Sequence, residues 1–155
     1  MRTNTTRFVA VTAIALALAL GGTALGTAAV ANAGTMPTDG PTVAMTITNN
    51  TDNPMLLDSA SNPYGQWING PRSYLAPLTT EIVTAYSSDP RGIGVDVTYN
   101  VADGVQTVMA ANNYAGNPTL DGTRIIGDPT HVILTDYMAT GYPTMNASYD
   151  VFTQN

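Results

Sequence analysis

His131 is the only histidine of this 155-residue chain and Glu81 the only glutamate, so general acid–base chemistry has few residues to draw on. A serine hydrolase would need His131 beside Ser59, Ser61, Ser73, Ser87, Ser88 or Ser148, with an acid to orient the ring. None of these serines sits in a Gly-x-Ser-x-Gly elbow. His131 follows Asp128-Pro129-Thr130 at the start of a strand-like run, where an exposed or turn-bonded imidazole is the plain expectation. Asp96, Asp136 and Asp150 fall within strand-like runs and could in principle pair as glycosidase carboxylates. Each is expected instead to face water on the polar half of its strand. There is no cysteine, which removes thiol nucleophiles, thiolate zinc sites and redox pairs. No dozen-residue stretch gathers the several acids of a calcium loop, and no glycine-rich phosphate loop is present. The expectation is a protein with no catalytic residues, no metal and no cofactor.

Recognition is better supplied than catalysis. Trp67, Tyr64, Tyr114, Tyr142 and Tyr74 lie in or beside Gly/Pro/Asn-rich stretches. Such side chains present an apolar body and a polar tip, which suits contact with a lipid interface, a glycan or another ligand. Trp67, the only tryptophan, is three residues from Tyr64 in a loop bounded by Pro63 and Pro71, so both can present to the same side. These five are the candidate ligand-binding residues, with Trp67 as anchor. The competing reading is that they plug the ends of a β core or bond to backbone. Tyr86, Tyr99 and Tyr149 fall within strand-like runs and are expected in the core.

The element that must position them is a hairpin over residues 92–113. Ile93, Val95, Val97, Tyr99 and Val101 fall on one face of an extended strand, and Gly94, Asp96, Thr98 and Asn100 on the other. Ala102-Asp103-Gly104 supplies turn chemistry, and Val105, Thr107, Met109 and Ala111 continue on the return strand. The same alternation marks strands at 43–48, 55–59, 79–86, 132–138 and 145–152, with a short one at 123–126. Asn/Pro/Gly-rich turns separate them, and no 3.6-residue apolar period appears after residue 33. The pattern predicts an all-β, antiparallel two-sheet sandwich in one domain, residues 34–155. Val95, Val97, Tyr99, Val43, Met45, Ile47, Ile82 and Met145 are expected to face inward. Residues 34–40 read as a short polar lead-in.

Ahead of that domain, Arg2 and Arg7 are followed by an apolar run over 8–20 and a small-residue stretch ending Ala31-Asn32-Ala33. This is the plan of a signal peptide, residues 1–33, cleaved after Ala33, and it predicts a secreted or envelope protein. The part beyond it has three arginines, no lysine and all eleven acids, a net charge of −8. Nucleic-acid binding needs a basic surface to displace counterions, and this chain has none. Docking to anionic lipid is disfavoured for the same reason.

Several stretches together resemble a family. They are Ser59-Ala60-Ser61-Asn62-Pro63-Tyr64-Gly65-Gln66-Trp67, the 92–113 hairpin, Asn112-Asn113-Tyr114-Ala115-Gly116-Asn117 and Gly141-Tyr142-Pro143-Thr144-Met145-Asn146-Ala147-Ser148-Tyr149. Their order and spacing resemble small secreted actinobacterial β-sandwich proteins similar to aegerolysins and, more distantly, actinoporin-type cytolysins. The resemblance covers most of residues 43–152. It implies a non-enzymatic module that recognises membrane lipid head groups, sometimes aiding pore formation with a partner protein. This chain departs from the family in having one tryptophan where aegerolysins usually have several, so Trp67 and the loop tyrosines are the positions that would inherit lipid contact. The alternatives are a structural or adhesive envelope protein and a secreted hydrolase using His131. Expected partners are membrane lipids or glycans, not nucleic acid.

Overall fold

The computed structural model describes residues 34–154; the predicted signal peptide lies outside the described residues. Eleven strands follow one another: β1 Thr42–Asn49, β2 Met55–Ser61, β3 Gln66–Asn69, β4 Tyr74–Leu75, β5 Thr79–Tyr86, β6 Gly92–Ala102, β7 Val105–Tyr114, β8 Asn117–Thr119, β9 Arg124–Ile126, β10 Val132–Thr140 and β11 Thr144–Thr153. A 3-10 turn, Pro129–His131, precedes β10, its amide at Thr130 capped by the Asp128 carboxylate. Two sheets form a sandwich. One runs β10-β11-β1-β5-β3; the other runs β4-β2-β6-β7-β8, with β9 also paired to β7. All pairs are antiparallel except β1 with β11, which run parallel in the middle of the first sheet.

The alternation places the core as expected along most strands. Val43, Met45 and Ile47 of β1, Val95, Val97 and Tyr99 of β6, and Met145 of β11 are fully buried between the sheets. Burying side chains of this size contributes roughly 1.5–3 kcal/mol each. The β6–β7 hairpin closes through Asp103 and Gly104, where Gly104 takes φ +71°, a conformation glycine adopts without steric cost. Val108 and Ala110, on the outer side of β7, are buried as well, because the 120–126 segment folds over them and Thr123 bonds the Ala110 amide.

Two inward expectations are corrected, at Ile82 and at Tyr86, which is half-buried on the outer face of β5 opposite Thr42. Ile82 is half-exposed on the outer face of β5, and Glu81, Val83 and Ala85 point inward instead. The pairing fixes this, since Glu81 lies opposite Ile47, Val83 opposite Met45 and Ala85 opposite Val43. A buried carboxylate must be hydrogen-bonded, and Glu81 is. It accepts the Arg72 amide at 3.0 Å and the Tyr99 hydroxyl at 2.5 Å. The Tyr99 hydroxyl also lies 2.7 Å from the Arg72 carbonyl.

Candidate functional site at the entry end of the sandwich

The chain enters β1 at the end where Thr42 pairs with both Tyr86 and Thr144, and where Gly92 pairs with Tyr114. Five connections therefore meet there: residues 34–41, 62–65, 87–91, 115–116 and 141–143. Asn113, fully buried, ties the two sheets together at this end. Its Nδ2 donates to the Thr42 carbonyl at 2.8 Å and the Pro143 carbonyl at 2.9 Å.

Segment 87–91 is the hub. The Ser87 hydroxyl donates to the Tyr64 carbonyl (2.7 Å), the Tyr142 hydroxyl donates to the Pro90 carbonyl (2.7 Å), and the Ala115 amide donates to the Arg91 carbonyl (3.0 Å). Three of the five candidate aromatics, Tyr64, Tyr114 and Tyr142, thus border one short segment. Tyr64 is 67% exposed and Tyr142 37%, whereas Tyr114 is half-buried. The Tyr114 ring lies against β6 at Gly92 and Gly94, where a Cβ would come within 2.5 Å of the ring at Gly92 and 2.9 Å of its hydroxyl at Gly94. Glycine on the outer face of β6 makes room for that ring.

The other two candidates are placed differently from the sequence expectation. Trp67 is not in a loop. It sits on the edge strand β3 opposite Ala85, half-buried and packed against the core. Tyr74, 53% exposed, pairs with Leu56 at the opposite end of the sandwich, away from the other tyrosines. A two-residue apolar step, Trp67-Ile68, inside a Pro/Gly-bounded stretch gave too short a signal to read as a strand.

Sequence reasoning missed three parts of this end. The lead-in is one, because it folds back over the outer face of the first sheet and walls a groove of about 310 Å³. Met36, Pro37 and Pro41 form one side and Pro90, Tyr142 and Pro143 the other, with Ala44 and Asn146 beneath. Close approach at Gly40, where a Cβ would meet the Ser87 carbonyl oxygen at 2.1 Å, lets the lead-in lie this near. Asp39 holds it from the side through the Tyr86 hydroxyl, whose pKa is raised chiefly by burial and then by that hydrogen bond. Residues 36–41, Met-Pro-Thr-Asp-Gly-Pro, carry no periodic signal that marks this packing. Thr42 is the second missed residue. It lines the groove at 1% exposure, and its Oγ1 has no partner among the described residues.

The third is the Asp89–Arg91 pair. The Arg91 guanidinium chelates the Asp89 carboxylate, Nε at 3.0 Å from each oxygen and Nη2 at 2.5 Å from Oδ2. Hydrogen bonds from the Arg91 side chain, then from its amide, hold the Asp89 carboxyl down at about 2. The arginine side chain itself is 88% exposed, so this end carries one fixed zwitterionic pair among its aromatics.

Among the described residues, no hydrogen bond joins His131 to any of the serines considered above. His131 is exposed at the opposite end, before β10, and its side chain makes no hydrogen bond among the described residues. Ser87 and Ser88 lie at the entry end, and Ser59 and Ser61 pair with β6 in the other sheet. Among the described residues no three His, Asp or Glu side chains cluster as a metal site would require.

No protein-family model matches the chain, and no curated protein matches it. A solved structure does match it: a crystal structure of the lipid-binding protein Nakanori, superposable over 72% of this chain and 71% of that one. The TM-score is 0.56 at 11% sequence identity. Likeness at that identity resides in the backbone, so this two-sheet sandwich shares its fold with the lipid-binding protein Nakanori.

Proposed function

We propose that this protein is a secreted, non-enzymatic binding module that recognises membrane lipid head groups at the entry end of its sandwich, in the manner its aegerolysin-like layout implies. The observation that carries the reading is the gathering of Tyr64, Tyr114 and Tyr142 around the 87–91 segment, beside an apolar groove. Loops on a rigid sandwich are where binding residues concentrate. Tyrosine places an apolar ring and a polar tip at the same depth, which matches a head-group layer. The Thr42 hydroxyl, buried at the groove and without a partner among the described residues, is a polar contact held ready for a ligand. The shared fold of a lipid-binding protein supports the same reading.

The excess of acids selects among membranes. A protein with no lysine and net charge −8 over residues 34–155 is repelled by anionic lipid, which leaves zwitterionic and sphingolipid-type surfaces. Arg91 and Asp89 offer charges of both signs to such a head group. Trp67 then serves from below, bracing β3 against the core, and Tyr64 takes the outermost position.

The test is co-sedimentation of protein made from the full-length chain, collected after export, with zwitterionic or sphingomyelin-containing vesicles. Binding is expected with little dependence on salt. Tyr64→Ala and Tyr142→Ala are each expected to weaken it several-fold with an unchanged melting temperature. Absence of binding to every such vesicle, or equal binding by the double variant, refutes the proposal. The same fractionation checks cleavage after Ala33, because the exported protein must begin at Gly34.

A further inference from the structure

Away from the groove, the outer face of the first sheet is open along β10 and β11. Tyr137 stands mid-strand there at 67% exposure, far above what a core tyrosine shows. It lies opposite Ser148, with Asn146 and Asp150 two residues to either side on β11 and Thr46 next across on β1. Thr135 is opposite Asp150. The hydrogen-bonding capacity of this row is largely unspent. Asp150 Oδ1 accepts from Asn50 Nδ2 at 3.1 Å, and Oδ2 accepts no hydrogen bond among the described residues. Asn146 donates its Nδ2 to the Thr140 hydroxyl, and its side-chain oxygen accepts no hydrogen bond among the described residues. Tyr137 is exposed and Thr46 and Ser148 are half-buried on this face, so their hydroxyls are in reach of solvent.

We propose that this face, Tyr137 with Asn146, Ser148 and Asp150, is a second binding site that takes a neutral polysaccharide. Sugar rings have an apolar C–H face and an edge of paired hydroxyls. Tyr137 offers the first a flat ring, and the carboxylate, amide and hydroxyl row offers the second both donors and acceptors at sheet spacing, about 4.8 Å between strands. Charge decides the class of glycan. The face carries Asp150 and no cation, on a protein of net charge −8, so uronic and sulfated chains are repelled and neutral ones are not. A bilayer fits this surface poorly, because an exposed carboxylate and a row of hydroxyls would lose water without gaining partners. Asn146 borders both the groove and this face, but Tyr137, Ser148 and Asp150 line no part of the groove, so the site does not depend on the lipid reading.

The experiment is depletion of protein, made from the full-length chain, by amorphous cellulose, chitin and an insoluble β-1,3-glucan. At least one is expected to retain it. Tyr137→Ala is expected to weaken retention by about tenfold, the scale of one lost aromatic contact. Tyr137→Phe should hold near wild type, and Tyr64→Ala should retain fully. Melting curves establish that each variant is folded. Retention by none of the three matrices, or equal retention of folded Tyr137→Ala, overturns the proposal. So does displacement of the Tyr64→Ala/Tyr142→Ala double variant from the matrix by zwitterionic vesicles, which would assign the face to lipid.

Discussion

Replacing Tyr99 with phenylalanine isolates the cost of the buried polar knot between β5 and β6. The ring stays in place and only the hydroxyl is lost, so packing is conserved. In the native protein that hydroxyl lies 2.5 Å from Glu81 Oε1 and 2.7 Å from the Arg72 carbonyl, and both Tyr99 and Glu81 are almost wholly excluded from water. Without it, Glu81 keeps the Arg72 amide alone, and the Arg72 carbonyl loses its partner. Hydrogen bonds to charged groups contribute about 1.5–3 kcal/mol. For a domain of this size, roughly 4 °C of melting temperature accompanies each kcal/mol. Tyr99→Phe is therefore expected to melt about 6–12 °C below wild type, with a matching fall in the urea midpoint. The pair should also be coupled. Glu81→Leu removes the acceptor that Tyr99→Phe would strand, so the double variant should be about 1 kcal/mol or more better than the sum of the singles. A Tyr99→Phe protein melting within about 2 °C of wild type, or additive singles, would show that the inward position of Glu81 contributes nothing.

Three further outcomes are expected. In a spectrophotometric titration of the native protein, Tyr99 and Tyr149 should stay protonated well past pH 10, because burial, and then Glu81 for Tyr99 and Asp136 for Tyr149, push their hydroxyls up. Since their folded pKa exceeds that of the unfolded chain, their contribution to stability is complete below about pH 10 and is lost as pH rises further, so unfolding should accompany their ionisation. Val83→Asp should abolish folding while Ile82→Asp costs less than about 1 kcal/mol, and circular dichroism melts of the pair check the facing of β5. Asn113→Ala strips the Thr42 and Pro143 carbonyls of their buried donor and should cost about 2–4 kcal/mol by urea denaturation.

The fold was legible where a period of two spoke for itself, as in β1, β6 and the Asp103-Gly104 turn. It failed at β5 because Glu81 and Ile82 obey the same alternation in either phase, and a lone acid reads as outward unless its partners are known. Those partners, Arg72 and Tyr99, are distant in sequence, and the knot exists only once two sheets have met. Tyr64, Tyr114 and Tyr142 were recognisable as loop aromatics. That they share one end while Tyr74 does not follows from strand direction, which no local pattern encodes. Likewise Trp67 reads as a loop residue, since a four-residue edge strand with a register shift after it leaves too few positions to count. The lead-in was the least legible part, because its packing depends on prolines and a close glycine approach and on no periodic signal.

The parallel pairing of β1 with β11 sets the order in which this protein can become itself. The strand that fills the middle of the first sheet has its parallel neighbour at the other extreme of the chain, Val43 beside Met145. Until the last strand is available, β1 has only β5 to lean on, and β10 has no bridge to β5 or β3. Contacts this remote are slow to form, since the loop must close before they stabilise anything. If the chain is exported as proposed, entering a translocation channel from its N-terminus, its first sheet cannot close until its final residues have crossed. The topology thus ties closure of the first sheet to the arrival of the last strand.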